Sequence, residues 1–410
     1  MLRISKTHKR MKEILRTDYL DWLYSWHDKP IIKVLTGIRR CGKSTLMRQF
    51  QHLLMENGVT EEQIISINFE DMSNQHLMQA LTLHDYIIER LNKGKMTYIF
   101  LDEVQLVNEF QRAVNSIYLR PDVDIYITGS NAHLLSGELA TLLSGRYVQL
   151  HIMPLSFKEF TQGMPYVHTR DYNTYTTTTS FPFRFRLSDD EEILQYMHDI
   201  YATVMMRDVV ERHNIQDINV LNRVTAYMAD NIGNLTNPKR IADTLTSAGT
   251  KISPHTVDNY IEALTNCYLF YPAQRLDIKG GEILRTGRKY YLADVGIRQV
   301  LVGSQHTDRG HILENVVFLE LLRRHRNQQV YIGKAGDSEV DFVCGKGGET
   351  VYYQVALSVR DDKMLQRELA PLKAVSNSYP KFLLTLDEEP PIDHNGIRQL
   401  YVLDWLTGTL

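Results

Sequence analysis

The stretch VLTGIRRCGKSTLMRQF, residues 34–50, fills the pattern G-x-x-x-x-G-K-[ST] with Gly37, Gly42, Lys43 and Ser44. Glycines at these positions let backbone N–H groups turn inward and approach phosphate oxygens with no Cβ in the way. A lysine at position 43 reaches β- and γ-phosphates, and the Ser44 hydroxyl suits a site on Mg2+. The spacing points to a nucleoside triphosphate, expected to be ATP, held by Gly37, Ile38, Arg39, Arg40, Cys41, Gly42, Lys43, Ser44 and Thr45, with Mg2+ alongside. Arg39 and Arg40 admit two readings: contact with phosphate or a neighbour, or plain solvent exposure. A second chemical pair, Asp102-Glu103, lies within MTYIFLDEVQ (96–105). Two acids at the end of a buried strand can supply one carboxylate near the metal, Asp102, and one beside the attacking water, Glu103.

These side chains need a common frame. IIKVLT (31–36) is a short apolar run that reads as a buried parallel strand, and Leu46, Met47, Phe50, Leu53 and Leu54 then recur at helical spacing until Gly58. Strand, loop, helix is the order that points a helix N-terminus at an anion. QIISINFED (63–71) and VDIYITGSNA (123–132) read as further strands of the same sheet. Parallel strands end along one edge, so Asn131 is a candidate for the γ-phosphate or the attacking water; the alternative is that Ser130 or Asn131 caps the next helix. LLSGRYVQLHIMPLSFKEF (142–160) supplies a last strand opened by Gly145-Arg146. Arg146 reads either as a transition-state contact on a neighbouring subunit's nucleotide or as a surface salt-bridge arginine.

The chain has 410 residues, 43% of them hydrophobic and 23% charged, a composition that suits two to four globular domains. A net charge of −3 leaves no overall field for nucleic acid, so any such contact must come from a local patch. Three scattered cysteines, Cys41, Cys267 and Cys344, offer neither a disulfide framework nor a zinc site and suit a reducing compartment. The charged N-terminus does not read as a signal peptide, and no apolar run reaches membrane-spanning length, so a cytoplasmic protein is expected.

Beyond the first sheet, threonine-rich DYNTYTTTTSFPFRFRLSDDEE (171–192) reads as a linker or surface insertion. A helical stripe of Ile193, Tyr196, Met197, Ile200, Val204 and Val209 follows, with Arg207, Asp208 and Arg212 on a solvated or interdomain face. Residues 237–294 then run helix, turn, helix, hairpin, the winged-helix order. If that segment binds DNA, His255, Thr256 and Asn259 face the groove. Residues 275–289 carry Arg275, Lys279, Arg285, Arg288 and Lys289 against Asp277 and Glu282, a local excess of three positive charges suited to phosphate. Winged helices also serve as protein–protein modules, and both partners stay open.

Together, GIRRCGKSTL, FLDEVQ, ITGSNA, LLSGRY and PLSFKEF resemble the AAA-type prokaryotic ATPases whose C-terminal part is the domain of unknown function 4143. The resemblance implies an α/β fold: a P-loop AAA-like parallel sheet core, a winged-helix segment and an α/β restriction-endonuclease-like C-terminal domain. It places Lys43, Ser44, Asp102 and Glu103 at the nucleotide, and makes Asn131 a first-sensor candidate and Arg146 an arginine-finger candidate. Residues 312–359 resemble the PD-(D/E)xK fold, with Glu314 as the helix acid and Asp341 as the strand aspartate. The E-x-K position, however, reads Gln354-Val355-Ala356, which removes a metal-neutralising charge and the ammonium that positions water, and argues against phosphodiester hydrolysis. The expected division is an ATPase domain over 1–165, a linker over 166–192, a helical and winged-helix segment over 193–300 and a degenerate nuclease-like domain over 301–410. The expected function is a Mg2+-dependent ATPase, working as a homo-oligomer that remodels or binds DNA. The alternatives are a nucleotide-dependent switch without nucleic acid and, less favoured, an ATP-dependent nuclease.

Overall fold

A computed structural model describes residues 13–130, 143, 145–162, 168–303, 308–326, 329–345 and 350–409. Five apolar runs become five strands: β1 (Ile32–Thr36), β2 (Ile64–Asn68), β3 (Thr97–Asp102), β4 (Val123–Gly129) and β5 (Tyr147–His151). They form one parallel sheet in the order β2-β3-β4-β1-β5. Every residue of β1, β3 and β4 is buried, which explains why these strands read as continuous apolar runs rather than alternating ones. On one face the helix Lys43–Glu56 lays Phe50 against Tyr126, which stacks on Phe100 at 4.7 Å; on the other, Ile87 and Val114 cover Ile99 and Ile125.

The β1 run also hides a charge. Lys33 is fully buried and its ammonium pairs with the equally buried Asp124 of β4. Desolvation pushes the Lys33 amine down and the Asp124 carboxyl up, both toward neutrality, while their mutual attraction opposes it.

A second sheet has eight strands in the order β12-β13-β11-β10-β9-β8-β6-β7. Its members are β6 (Phe270–Asp277), β7 (Glu282–Leu292), β8 (Val330–Ala335), β9 (Ser338–Cys344), β10 (Val351–Ala356), β11 (Lys381–Thr385), β12 (Ile392–Asp393) and β13 (Ile397–Tyr401). Helices Pro238–Ser247 and Pro254–Asn266, capped by Asn237 and Ser253, precede the β6–β7 hairpin in the order the sequence suggested. The hairpin is not a free wing, however. β6 pairs in parallel with β8, so a boundary at residue 300 would cut through one sheet.

The expected linker is also corrected. Residues 168–177 form a helix, and Tyr172, Tyr175 and Phe181 are buried. The threonines that suggested a surface segment turn their hydroxyls back on the helix: Thr174 donates to the Arg170 carbonyl and Thr178 to the Thr174 carbonyl. Thr179 and Ser180 donate to the buried Asp294 carboxylate, and Pro182 lies against Gly42 of the phosphate loop. One apolar cluster runs from the loop helix through this segment into the second sheet. No helix among the described residues is long and apolar enough to cross a membrane.

Candidate nucleotide site

β1 delivers the chain into the loop 37–42, and Gly42 opens the following helix at φ 103°. Gly37 has φ 149°, and a Cβ there would lie 2.0 Å from the Ile152 carbonyl oxygen, so the loop closes only over glycine. The first turn of the helix carries no acidic side chain, which leaves its positive end uncompensated. The Lys43 ammonium is buried and donates to the carbonyls of Gly37 at 2.9 Å and Ile38 at 3.4 Å. Ser44 is exposed beside it, and Arg40 is exposed at φ 69°. Cys41 is buried, and its carbonyl accepts from Arg16, whose guanidinium also forms a two-pronged pair with Glu159 at 2.8 and 2.9 Å. Arg16, upstream of every motif, went unread in the sequence, since nothing local announces a partner 143 residues away.

Asp102 and Glu103 arrive at the same edge from β3. Burial raises the Asp102 carboxyl above its ordinary value, against hydrogen bonds from Ser44 and Thr128 that pull it down. Thr128 Oγ1 donates to Asp102 at 2.6 Å, and Asn68 Nδ2 lies 3.2 Å from the other oxygen. Glu103 takes a left-handed conformation at φ 54°, and its N–H donates to Thr128 Oγ1. Its carboxylate lies 3.7 Å from the Lys43 ammonium. Burial alone would raise Glu103, but Lys43, a hydrogen bond from Gln105, Arg39 and Arg212 outweigh it and hold the carboxyl below its usual range. The Ser44 hydroxyl and the Asp102 carboxylate, which interact at this edge, offer oxygen ligands that fit a hard cation such as Mg2+.

Two sequence candidates stand differently. Asn131 lies outside the described residues. Arg146 precedes β5, and its carbonyl accepts from Ile32 N–H at the start of β1. The loop leaves the other end of β1, roughly 16 Å away at ~3.3 Å per residue. The Arg146 side chain stays within its own chain, bonded to Asn115 and lying 5.6 Å from the Tyr118 ring centre. The arginines that do approach Glu103 are Arg39 and Arg212. Of the solvated or interdomain face expected for Arg207, Asp208 and Arg212, Asp208 takes the interdomain alternative: it is 2% exposed and bound to Arg39 of the phosphate loop and to Arg212.

The C-terminal acids form a separate cluster. Lys289 of β7 lies 3.0 Å from Glu314 and 2.9 Å from Glu339, and Tyr291 donates to Glu314 at 2.6 Å. Burial, reinforced by Glu314, holds the Asp341 carboxyl well above its ordinary value. Burial would lower the Lys289 amine, but Glu314, Asp341 and Glu339 prevail and raise it. The sequence offered Lys289 to DNA phosphate; at 5% exposure it is spent inside the fold, while its strand neighbour Arg288 faces out. His255 and Asn259 are exposed, Thr256 is half-buried against its Ser253 cap, and the Arg285 side chain lies outside the described set. Among the described residues, no group of three or more His, Cys, Asp or Glu side chains is arranged to hold a metal ion.

Fold and loop together define a P-loop nucleotide-binding protein, and residues 29–161 match a family described as an AAA domain. Residues 169–308 match the Domain of unknown function (DUF8612), which takes in most of the expected linker. The chain belongs to one family with an uncharacterized protein of Haemophilus influenzae, 37% identical over 399 residues that span 96% of this chain and 98% of that one. An uncharacterized protein of Methanocaldococcus jannaschii is 32% identical over 78% of this chain and 74% of its own. Among solved structures, a Walker-type ATPase of Pyrococcus abyssi aligns with a TM-score of 0.49 at 16% identity, over 70% of this chain and 95% of that chain.

Proposed function

We propose that this protein is a Mg2+-dependent ATP hydrolase. The observation that carries it is the convergence of Lys43, Ser44, Asp102 and an ionised Glu103 on one edge of the sheet, with Lys43 and Glu103 3.7 Å apart. The loop amides and the helix N-terminus bind the phosphates, and Lys43 exchanges its two carbonyl partners for phosphate oxygens. Ser44 and, through water, Asp102 would hold Mg2+, which would supply positive charge to offset that of the phosphates. Glu103, kept ionised, orients the attacking water in line with the γ-phosphate and accepts its proton as the new P–O bond forms and the bond to the departing ADP breaks. Thr128 fixes both acids, one by its hydroxyl proton and the other by its oxygen.

DNA is a second reading for what the cycle acts on, favoured by the exposed His255, Asn259 and Arg288 on adjoining elements. Steady-state ATP hydrolysis with Mg2+, with and without duplex DNA at low salt, tests both. Turnover without DNA supports the hydrolase, and stimulation that fades as salt rises supports DNA contact through a basic patch. Turnover indifferent to DNA at low salt points to a nucleotide-controlled switch, and no turnover in any condition contradicts the hydrolase.

A further inference from the structure

One carboxylate at the nucleotide edge comes from outside the five-stranded sheet. The helix Asp190–Thr203 continues into a π-helical turn, Val204–Val210, that carries Asp208. Asp208 is 2% exposed and its carboxylate faces the phosphate loop. Arg39 of that loop grips it with two nitrogens, Nε at 3.0 Å and Nη2 at 3.4 Å, and sends Nη1 to Glu70 at 2.7 Å. Arg212, one turn beyond Asp208, places Nη2 3.3 Å from Asp208 Oδ1 and donates to Ser130 Oγ at 3.3 Å. Ser130 closes the group by donating to Asp208 at 3.4 Å. Ser130 directly follows β4, so the group lies at the strand edge where Glu103 sits.

Two guanidinium groups are thus shared by one buried acid at the rim of the phosphate site. A guanidinium binds phosphate in the same forked geometry as carboxylate, and a terminal phosphate offers more charge and more acceptor oxygens than Asp208 does. Arg39 has three contacts that tie loop, β2 edge and helical segment together. Arg212 has two long ones, and its side chain is 24% exposed. Arg212 is therefore the one with less to lose.

Resting on the ATP reading above, we propose that Asp208 is a positioning residue that competes with the terminal phosphate of a bound triphosphate for Arg212. When that phosphate lies beside Glu103, Arg212 transfers to it, while Arg39 stays with Asp208 and keeps the helical segment on the loop. A diphosphate lacks the competing group and leaves Arg212 where it is. The partner of Arg212 in the 204–213 segment, which leads into the second half of the chain, then depends on whether the γ-phosphate is present.

The test is the ratio of affinities for two fluorescent ligands, a labelled ADP and a labelled non-hydrolysable triphosphate, each titrated with Mg2+ onto the full chain. Asp208→Asn removes the competitor and is expected to shift the ratio toward the triphosphate by about five- to tenfold, with ADP affinity changed less than about twofold. Arg212→Gln, at a half-buried position, is expected to shift it the other way by about tenfold. Arg212→Lys should recover part of that loss. A merely structural role for Asp208 or Arg212 would weaken both ligands alike, and an unchanged ratio in Arg212→Gln overturns the proposal even if Asp208→Asn does not fold. Wild-type protein that binds neither ligand would overturn the ATP reading itself, and the competition with it.

Discussion

Two lysines, Lys43 and Lys289, illustrate how alike two buried charge clusters can look and how differently they are built. Each lies beside carboxylates at the edge of a sheet. Lys43 donates to two backbone carbonyls and stands 3.7 Å from Glu103, so its ammonium can trade the neutral carbonyls for phosphate oxygens while staying beside its one buried acid. Lys289 is locked between Glu314 and Glu339 with Asp341 close by, and its departure would leave both glutamates without their shared cation. Buried charges with exchangeable partners can act on a ligand; those with ionic partners on every side hold the fold.

That contrast is broken or sharpened most strongly by removing each lysine in turn. Lys43→Ala should lower ATP turnover by roughly 10³-fold, with little change in the midpoint of thermal unfolding. Lys289→Met should do the reverse, costing about 3–5 kcal/mol in denaturant unfolding and leaving turnover per folded molecule near wild type. If Lys289→Met abolishes turnover in protein that remains folded, the second cluster is not merely structural.

The next effect is a pH dependence at the seam between the two regions. His151 of β5 meets Thr36 at 3.2 Å, just before the loop, and the Tyr271 hydroxyl of β6 at 2.7 Å. Burial, with smaller contributions from Lys43 and Arg323, lowers its pKa to about 3. An unfolded histidine titrates near ~6.5, so below that pH the unfolded chain binds the extra proton and the folded one does not. Stability from this site is complete above about pH 6.5 and is lost as pH falls toward 3, by roughly 2 kcal/mol at pH 5. Urea unfolding between pH 7 and 5 should show this slope in wild type and little of it in His151→Asn. An equal slope in both would place the titration elsewhere.

The smallest effect is expected at Arg146. Its carbonyl and side chain are occupied at the far end of β1, so Arg146→Ala should change turnover less than about twofold in dilute protein. A loss that grows with protein concentration would instead indicate an arginine supplied to a neighbouring subunit.

Much of the first region was legible in the sequence because its chemistry is local. The loop needs Gly37, Gly42, Lys43 and Ser44 in one order, and fully buried strands such as β3 and β4 leave unbroken apolar runs. What escaped was carried by distant partners. Asp208 looked like one charge on a helix, and only folding puts Arg39 against it from 169 residues away. Lys289 looked like part of a basic strip because a strand's alternation shows which neighbours oppose each other, not which face is covered. The threonine-rich stretch misled for a different reason: hydroxyls that bond to their own helix can be buried, and composition alone does not reveal this.

The central claim is that Glu103, held ionised beside Lys43, orients the water that attacks ATP. Glu103→Gln keeps the shape and removes the charge, so steady-state hydrolysis by the purified full chain with Mg2+ tests it most directly. Turnover is expected to fall roughly 10²- to 10⁴-fold while labelled ADP still binds. Turnover equal to wild type would contradict the assignment of the catalytic carboxylate.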